Sequence, residues 1–155
     1  MNIDHVNYEE LLENLKKNYF PELKKVKIKL KPLRLLKKVF MITLPFTSNI
    51  YYNRRVIKQC NLNALKAVFI HELYHIVQFK KMNFFQKIIF LPRYHLFDKF
   101  RIKHELEAHL AVVKRGFGKE LIELNSFVKK RYPKNIWDKK ISKYYLTEEE
   151  ITKNM

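Results

Sequence analysis

His71-Glu72-Leu73-Tyr74-His75 is an HExxH sequence. Two histidines four positions apart on a helix project from the same face one turn apart, so both imidazoles can grip a single metal ion. Glu72 falls roughly 100° further round, close enough to reach a water on that ion but not to replace a histidine. Zinc lowers the pKa of its bound water to about 7, and a neighbouring carboxylate then takes the proton. With six His and twelve Glu in 155 residues, random placement would yield the pattern about 2 times in 100 chains. Context therefore decides. Ala67-Val68-Phe69-Ile70 before the motif and Ile76-Val77-Gln78-Phe79 after it bury the helix, as a metal site requires. Two buried histidines and a carboxylate on one side of a helix are costly without a partner.

A catalytic zinc keeps three protein ligands and one open position. A third ligand is available about thirty residues downstream, in His104-Glu105-Leu106-Glu107-Ala108-His109. HExxH followed by Glu105, Ala108 and His109 resembles the gluzincin metallopeptidases, in which a glutamate on a second helix completes the site. Thermolysin, the Ste24-type and HtpX-type peptidases and the single-domain minigluzincins share that arrangement. The likeness spans residues 5–115 and rests on few specific positions. It implies a zincin-like fold and hydrolysis of peptide bonds. One catalytic Zn²⁺ would be held by His71, His75 and Glu105, with Glu72 as general base.

His109 stands where many gluzincins carry an Asp or Asn that orients a zinc histidine. A histidine there either supports a ligand by a hydrogen bond or binds the metal itself. His104 and Glu107 are expected on other sides of their helix. The resemblance also implies an electrophile for the developing oxyanion, for which Tyr94, His95, Tyr132, Tyr144 and Tyr145 are all available. It further implies pairing of the substrate backbone with a sheet edge, either residues 49–52 or the strand before them. Two other readings stand beside the peptidase. A basic, nucleic-acid-associated enzyme of the SprT type would use a third histidine, His104 or His109. A latent or non-catalytic protein would keep a zinc-stabilised core for binding alone.

The elements that must position these residues follow from periodicity. Residues 8–18 place Leu11, Leu12 and Leu15 on one stripe, with acids early and lysines late, which predicts an amphipathic helix broken by Pro21. Lys25 to Lys31 alternates strictly and predicts a strand with a lysine row that guards its edge. Further strands are expected at 39–44 and 49–52. Residues 63–80 read as a long helix capped by Asn61 or Asn63. Leu62, Leu65, Phe69, Leu73 and Ile76 lie on one face, with His71 and His75 on the other. Residues 82–100 carry no clear pattern. Helices follow at 101–114, closed by Gly116, then near 118–131 and 147–154, the last opened by a Thr147/Glu150 capping box. The fold class expected is α+β: a small mixed or antiparallel sheet of about three strands on the HExxH and glutamate helices. Residues 1–155 are read as one domain, with a helical extension over 116–155.

Length and composition agree with one core. Apolar residues make up 47% and aromatics 14%, too many for a disordered chain. Two glycines exclude Gly-rich dinucleotide loops. A single cysteine, Cys60, excludes internal disulfides and CxxC sites, and a reducing cytoplasmic setting is expected. The opening residues lack the apolar run of a secretory leader, and no stretch approaches the roughly 18 to 20 apolar residues of a membrane span. The net charge of +17, spread along the chain, favours an anionic partner, either nucleic acid or acidic lipid, besides a peptide or protein substrate.

Overall fold

The computed structural model describes residues 6–33 and 40–155. Helix α1 (Tyr8–Tyr19) starts at Asn7, whose side chain accepts from the amides of Glu9 and Glu10. Acids in its first turn and Lys16 and Lys17 in its last complement the helix dipole. Pro21 ends it in a 3-10 turn, Pro21–Leu23.

Strands β1 (Lys29–Pro32), β2 (Met41–Thr43) and β3 (Asn49–Tyr52) form a mixed sheet in the order β1-β3-β2. β1 runs parallel to β3, with Lys29 opposite Asn49, and β2 runs antiparallel, with Thr43 opposite Ile50. The architecture is therefore α+β. The strand expected from residue 25 joins the ladder only at Lys29, because the Val26 amide donates to the Leu23 carbonyl at 2.8 Å. Its alternation survives outside the ladder: Val26, Ile28 and Leu30 pack on the core, while Lys25, Lys27, Lys29 and Lys31 are exposed. Val39, assigned to the second strand by periodicity, lies outside the described residues, as does residue 5.

A short helix, α2 (Arg54–Ile57), capped by Asn53, leads into the central helix α3 (Leu62–Lys81). Asn61 caps α3 by accepting from the Ala64 amide at 2.8 Å. Asn61 and Asn63 also donate to the Glu123 carboxylate at 2.7 and 2.8 Å, which ties the start of α3 to α6 (Gly118–Lys129). Leu65, Phe69, Leu73 and Ile76 are buried on one face, His71, His75 and Gln78 on the opposite side, and Glu72 on the flank between them. Both faces of α3 are covered because α1, α5 (Asp98–Lys114), α6 and β2 all pack against it.

Residues 82–100, unassigned from sequence, form α4 (Phe84–Leu96), opened by an Asn83/Gln86 capping box. Pro92 sits within α4 on its exposed side, where the carbonyl that loses a donor can meet water. One residue, Phe97, separates α4 from α5, so α5 begins three positions earlier than periodicity indicated. Gly116 closes α5 with φ +84°, a left-handed conformation that favours glycine. After α6, α7 (Lys134–Ile136) continues through a π turn, Trp137–Ile141, and a 3-10 turn, Ser142–Tyr144. Helix α8 (Glu148–Lys153) then starts at the expected Thr147/Glu150 box. Leu121, Leu124, Leu146 and Ile151 share one apolar cluster with Leu65, Phe69 and Leu73. Among the described residues, no helix is long and apolar enough to cross a membrane.

Candidate metal centre

His71 and His75 face each other across one turn of α3, with their Nε2 atoms 2.9 Å apart. His75 Nδ1 lies 2.7 Å from Gln78 Oε1. An amide oxygen only accepts, so Nδ1 carries the proton and the His75 Nε2 lone pair is bare. His71 Nδ1 is buried without a hydrogen-bond partner. A proton on His71 Nε2 leaves that Nδ1 lone pair unsatisfied. A proton on Nδ1 instead sets two bare Nε2 atoms against each other. A cation between the two Nε2 atoms relieves the second arrangement.

Glu105 of α5 lies beside the pair. Its carboxylate approaches His71 Nε2 to 3.3 Å and His75 Nε2 to 3.9 Å. Donors of a tetrahedral zinc at 2.0–2.1 Å stand about 3.3 Å apart; the two Nε2 atoms lie 2.9 Å apart, and Glu105 meets the rings through different oxygens, Oε2 at 3.3 Å from His71 and Oε1 at 3.9 Å from His75. Donor atoms of His71, Glu72 and His75 also lie within 4.8 Å of one another. Glu72 differs from Glu105 in its tether: Oε2 accepts from the Thr43 hydroxyl at 2.8 Å, which draws the carboxylate toward the end of β2.

Burial sets the electrostatics. It pushes the Glu72 carboxyl up to about 7, against the opposing pull of His75 and of the Thr43 hydrogen bond. Burial would raise Glu105 too, but the hydrogen bond with His71 and the charges of both imidazoles hold it well below the usual carboxylate range. Burial and the neighbouring His71 lower His75, and His104 is pushed down to about 3 by burial, with His75 adding to the effect. The lowering at His75 leaves its ring nitrogen available to a metal.

The remaining predicted residues sort by position. His109 is buried, its ring 4.9 Å from that of His71 and 5.0 Å from that of Tyr145. It makes no hydrogen bond to His71, and Nδ1 of both rings lacks a partner. His104 and Glu107, expected to point elsewhere, lie close by. The His104 ring stacks on His75 at 4.8 Å, and Glu107 accepts from Gln78 Nε2 at 3.1 Å. Of the five oxyanion candidates, Tyr94 donates its hydroxyl to Glu105. His95, Tyr132, Tyr144 and Tyr145 line the same cavity of about 310 Å³, which also meets Phe40–Leu44 and Arg101.

Tyr94, read from sequence only as a candidate partner for the oxyanion, instead donates to Glu105, and Thr43, on another element, carries no spacing signal relative to HExxH. Gln78, three residues after His75, was legible as a neighbour on the histidine face but not as its acceptor. The strand at 49–52 proves central and fully paired, so β2 is the edge beside α3. No family model, curated protein or solved structure matches this chain.

Proposed function

We propose that this chain is a zinc-dependent peptidase of gluzincin-like, zincin-type design. The observation that carries the reading is the convergence of His71 Nε2, His75 Nε2 and the Glu105 carboxylate, with closest approaches of 2.9 to 3.9 Å, and with the Glu72 carboxylate beside them in a cavity. These three groups would hold the ion. When bound, zinc supplies Lewis acidity that polarises a carbonyl and acidifies water.

The chain supplies the rest. Glu72 accepts the water proton on Oε1, since Oε2 is engaged by Thr43, and delivers it to the leaving amine nitrogen. Gln78 fixes the His75 tautomer so that Nε2 faces the site. Tyr94 holds the Glu105 carboxylate through its hydroxyl. Strand β2, which among the described residues pairs only with β3 and whose residues line the cavity, offers backbone groups to an extended substrate.

Glu105 brings carboxylate oxygens to within 4 Å of the His71 and His75 Nε2 atoms, whereas His104 and His109 meet the pair through ring faces, which favours the glutamate-completed arrangement over the SprT type. The deciding experiment is Glu72→Gln, assayed for zinc content and for cleavage of a denatured protein substrate. Expected is one zinc per chain with loss of hydrolysis. Full activity in the variant overturns the assignment of the base. Stoichiometric zinc in wild type without cleavage of any peptide points to a zinc-stabilised binding protein, and absence of zinc overturns the metal centre.

A further inference from the structure

Helix α4 buries Phe90 and leaves its other large apolar side chains in the open. Phe84 is 66% exposed, Phe85 76% and Leu96 76%, and Ile88, Ile89 and Phe97 are exposed as well. Exposed Phe46, from the loop after β2, extends the patch through an edge contact with Phe84 at 6.2 Å. A contiguous apolar surface of this kind marks an interaction site rather than ordinary exposure.

Its geometry is that of a helix lying in an interface. At 100° per residue the outward apolar side chains of α4, from Leu91 to Ile89, cover an arc of about 160°. Lys87 and Arg93 fall just beyond its two margins, and Phe90 and Tyr94 lie on the opposite side, toward the protein. Between positions 80 and 103 one acid, Asp98, stands among seven basic residues, of which Arg101 faces the cavity and stacks on Tyr144, leaving six for the rim. That acid is already paired with Lys143 and Tyr144.

We propose that α4 and its flanks dock on the surface of an anionic lipid bilayer, with the Phe84–Phe85 end and Leu96 entering the headgroup boundary and the lysines and arginines meeting lipid phosphates. A second copy of the chain would set this cationic rim against its equal. Nucleic acid would satisfy the cations but leave Ile88, Ile89 and Leu96 in water. Leu91 belongs both to the patch and to the cavity wall, so docking brings the cavity to the membrane surface. The proposal is independent of the metal reading.

The test is flotation of the full chain with vesicles of phosphatidylcholine alone and with 30% phosphatidylglycerol. Expected is binding to the anionic vesicles at least tenfold tighter than to neutral ones. Combined Phe84→Ser and Phe85→Ser should weaken it at least tenfold with an unchanged circular dichroism spectrum, and Lys87→Gln by roughly fivefold. Failure to bind anionic vesicles overturns the proposal. So does binding that the double serine variant leaves within twofold, which would reduce the effect to net charge. Tight binding of duplex DNA without vesicle binding would assign the basic surface to nucleic acid instead, and a dimer dissolved by the serine variant without vesicle binding would assign the patch to self-association.

Discussion

Gln78 offers the sharpest test of how the histidines are held. Its Oε1 accepts a hydrogen bond from His75 Nδ1–H at 2.7 Å, and its amide donates to the His104 carbonyl at 3.3 Å and to Glu107 at 3.1 Å. Gln78→Met keeps a long side chain in the space but removes the acceptor. Without metal, His75 can shift its proton to Nε2 and donate to His71, so the apo-protein loses little through that ring. With metal, Nε2 must be bare and Nδ1–H is stranded in a buried site. An unsatisfied buried donor costs about 1–3 kcal/mol, and loss of such a supporting bond typically weakens metal binding about 10–100-fold. Zinc Kd should rise by that factor in competition against a chromophoric chelator at pH 7.5. Gln78→Glu, which keeps an acceptor, should retain most of the affinity. Melting curves of the chelated proteins check that each variant is folded. A folded Gln78→Met protein with zinc affinity within twofold of wild type would refute the argument that this hydrogen bond sets the tautomer.

Chelation of a zinc present at a thousand times its Kd removes about 4 kcal/mol. For a domain of this size that lowers Tm by roughly 8–16 °C; a shift under about 2 °C in calorimetry would count against a structural contribution from the ion. Leu73→Ala, on the fully buried face of α3 opposite the histidines, should cost about 2–5 kcal/mol in urea melts while leaving zinc stoichiometry intact. Burial, with Glu123 adding to the effect, pushes the Cys60 thiol up to about 12. At pH 8 only about 1 in 10,000 molecules then carries a thiolate, so a disulfide reagent should label Cys60 only after unfolding. Rapid labelling of the native protein would contradict that burial.

The facing pair of imidazoles was legible from residues 71 to 75 because i and i+4 share a helix face whatever surrounds the helix. The same local logic located α1 through its charge order, α3 through its apolar stripe and Asn61, the end of α5 through Gly116, and α8 through its capping box. α4 was missed because it is apolar on two sides, one toward Phe79 and His104 and one toward solvent, which erases the single-face period. The Asn83/Gln86 box was its one readable mark.

Residue types and short-range spacing determined which groups had the chemistry, namely His71, Glu72, His75 and a set of downstream carboxylates and histidines. They could not rank Glu105 above His104 or His109, because that choice depends on how α5 is rotated against α3, a matter of packing between segments some thirty residues apart. Tertiary structure alone also decided that Thr43 tethers Glu72, that Tyr94 engages Glu105 and that β2, rather than the central β3, lies beside α3. Each of these links joins separate elements, and long-range contacts are set by the shape of the whole core rather than by any local pattern of residues.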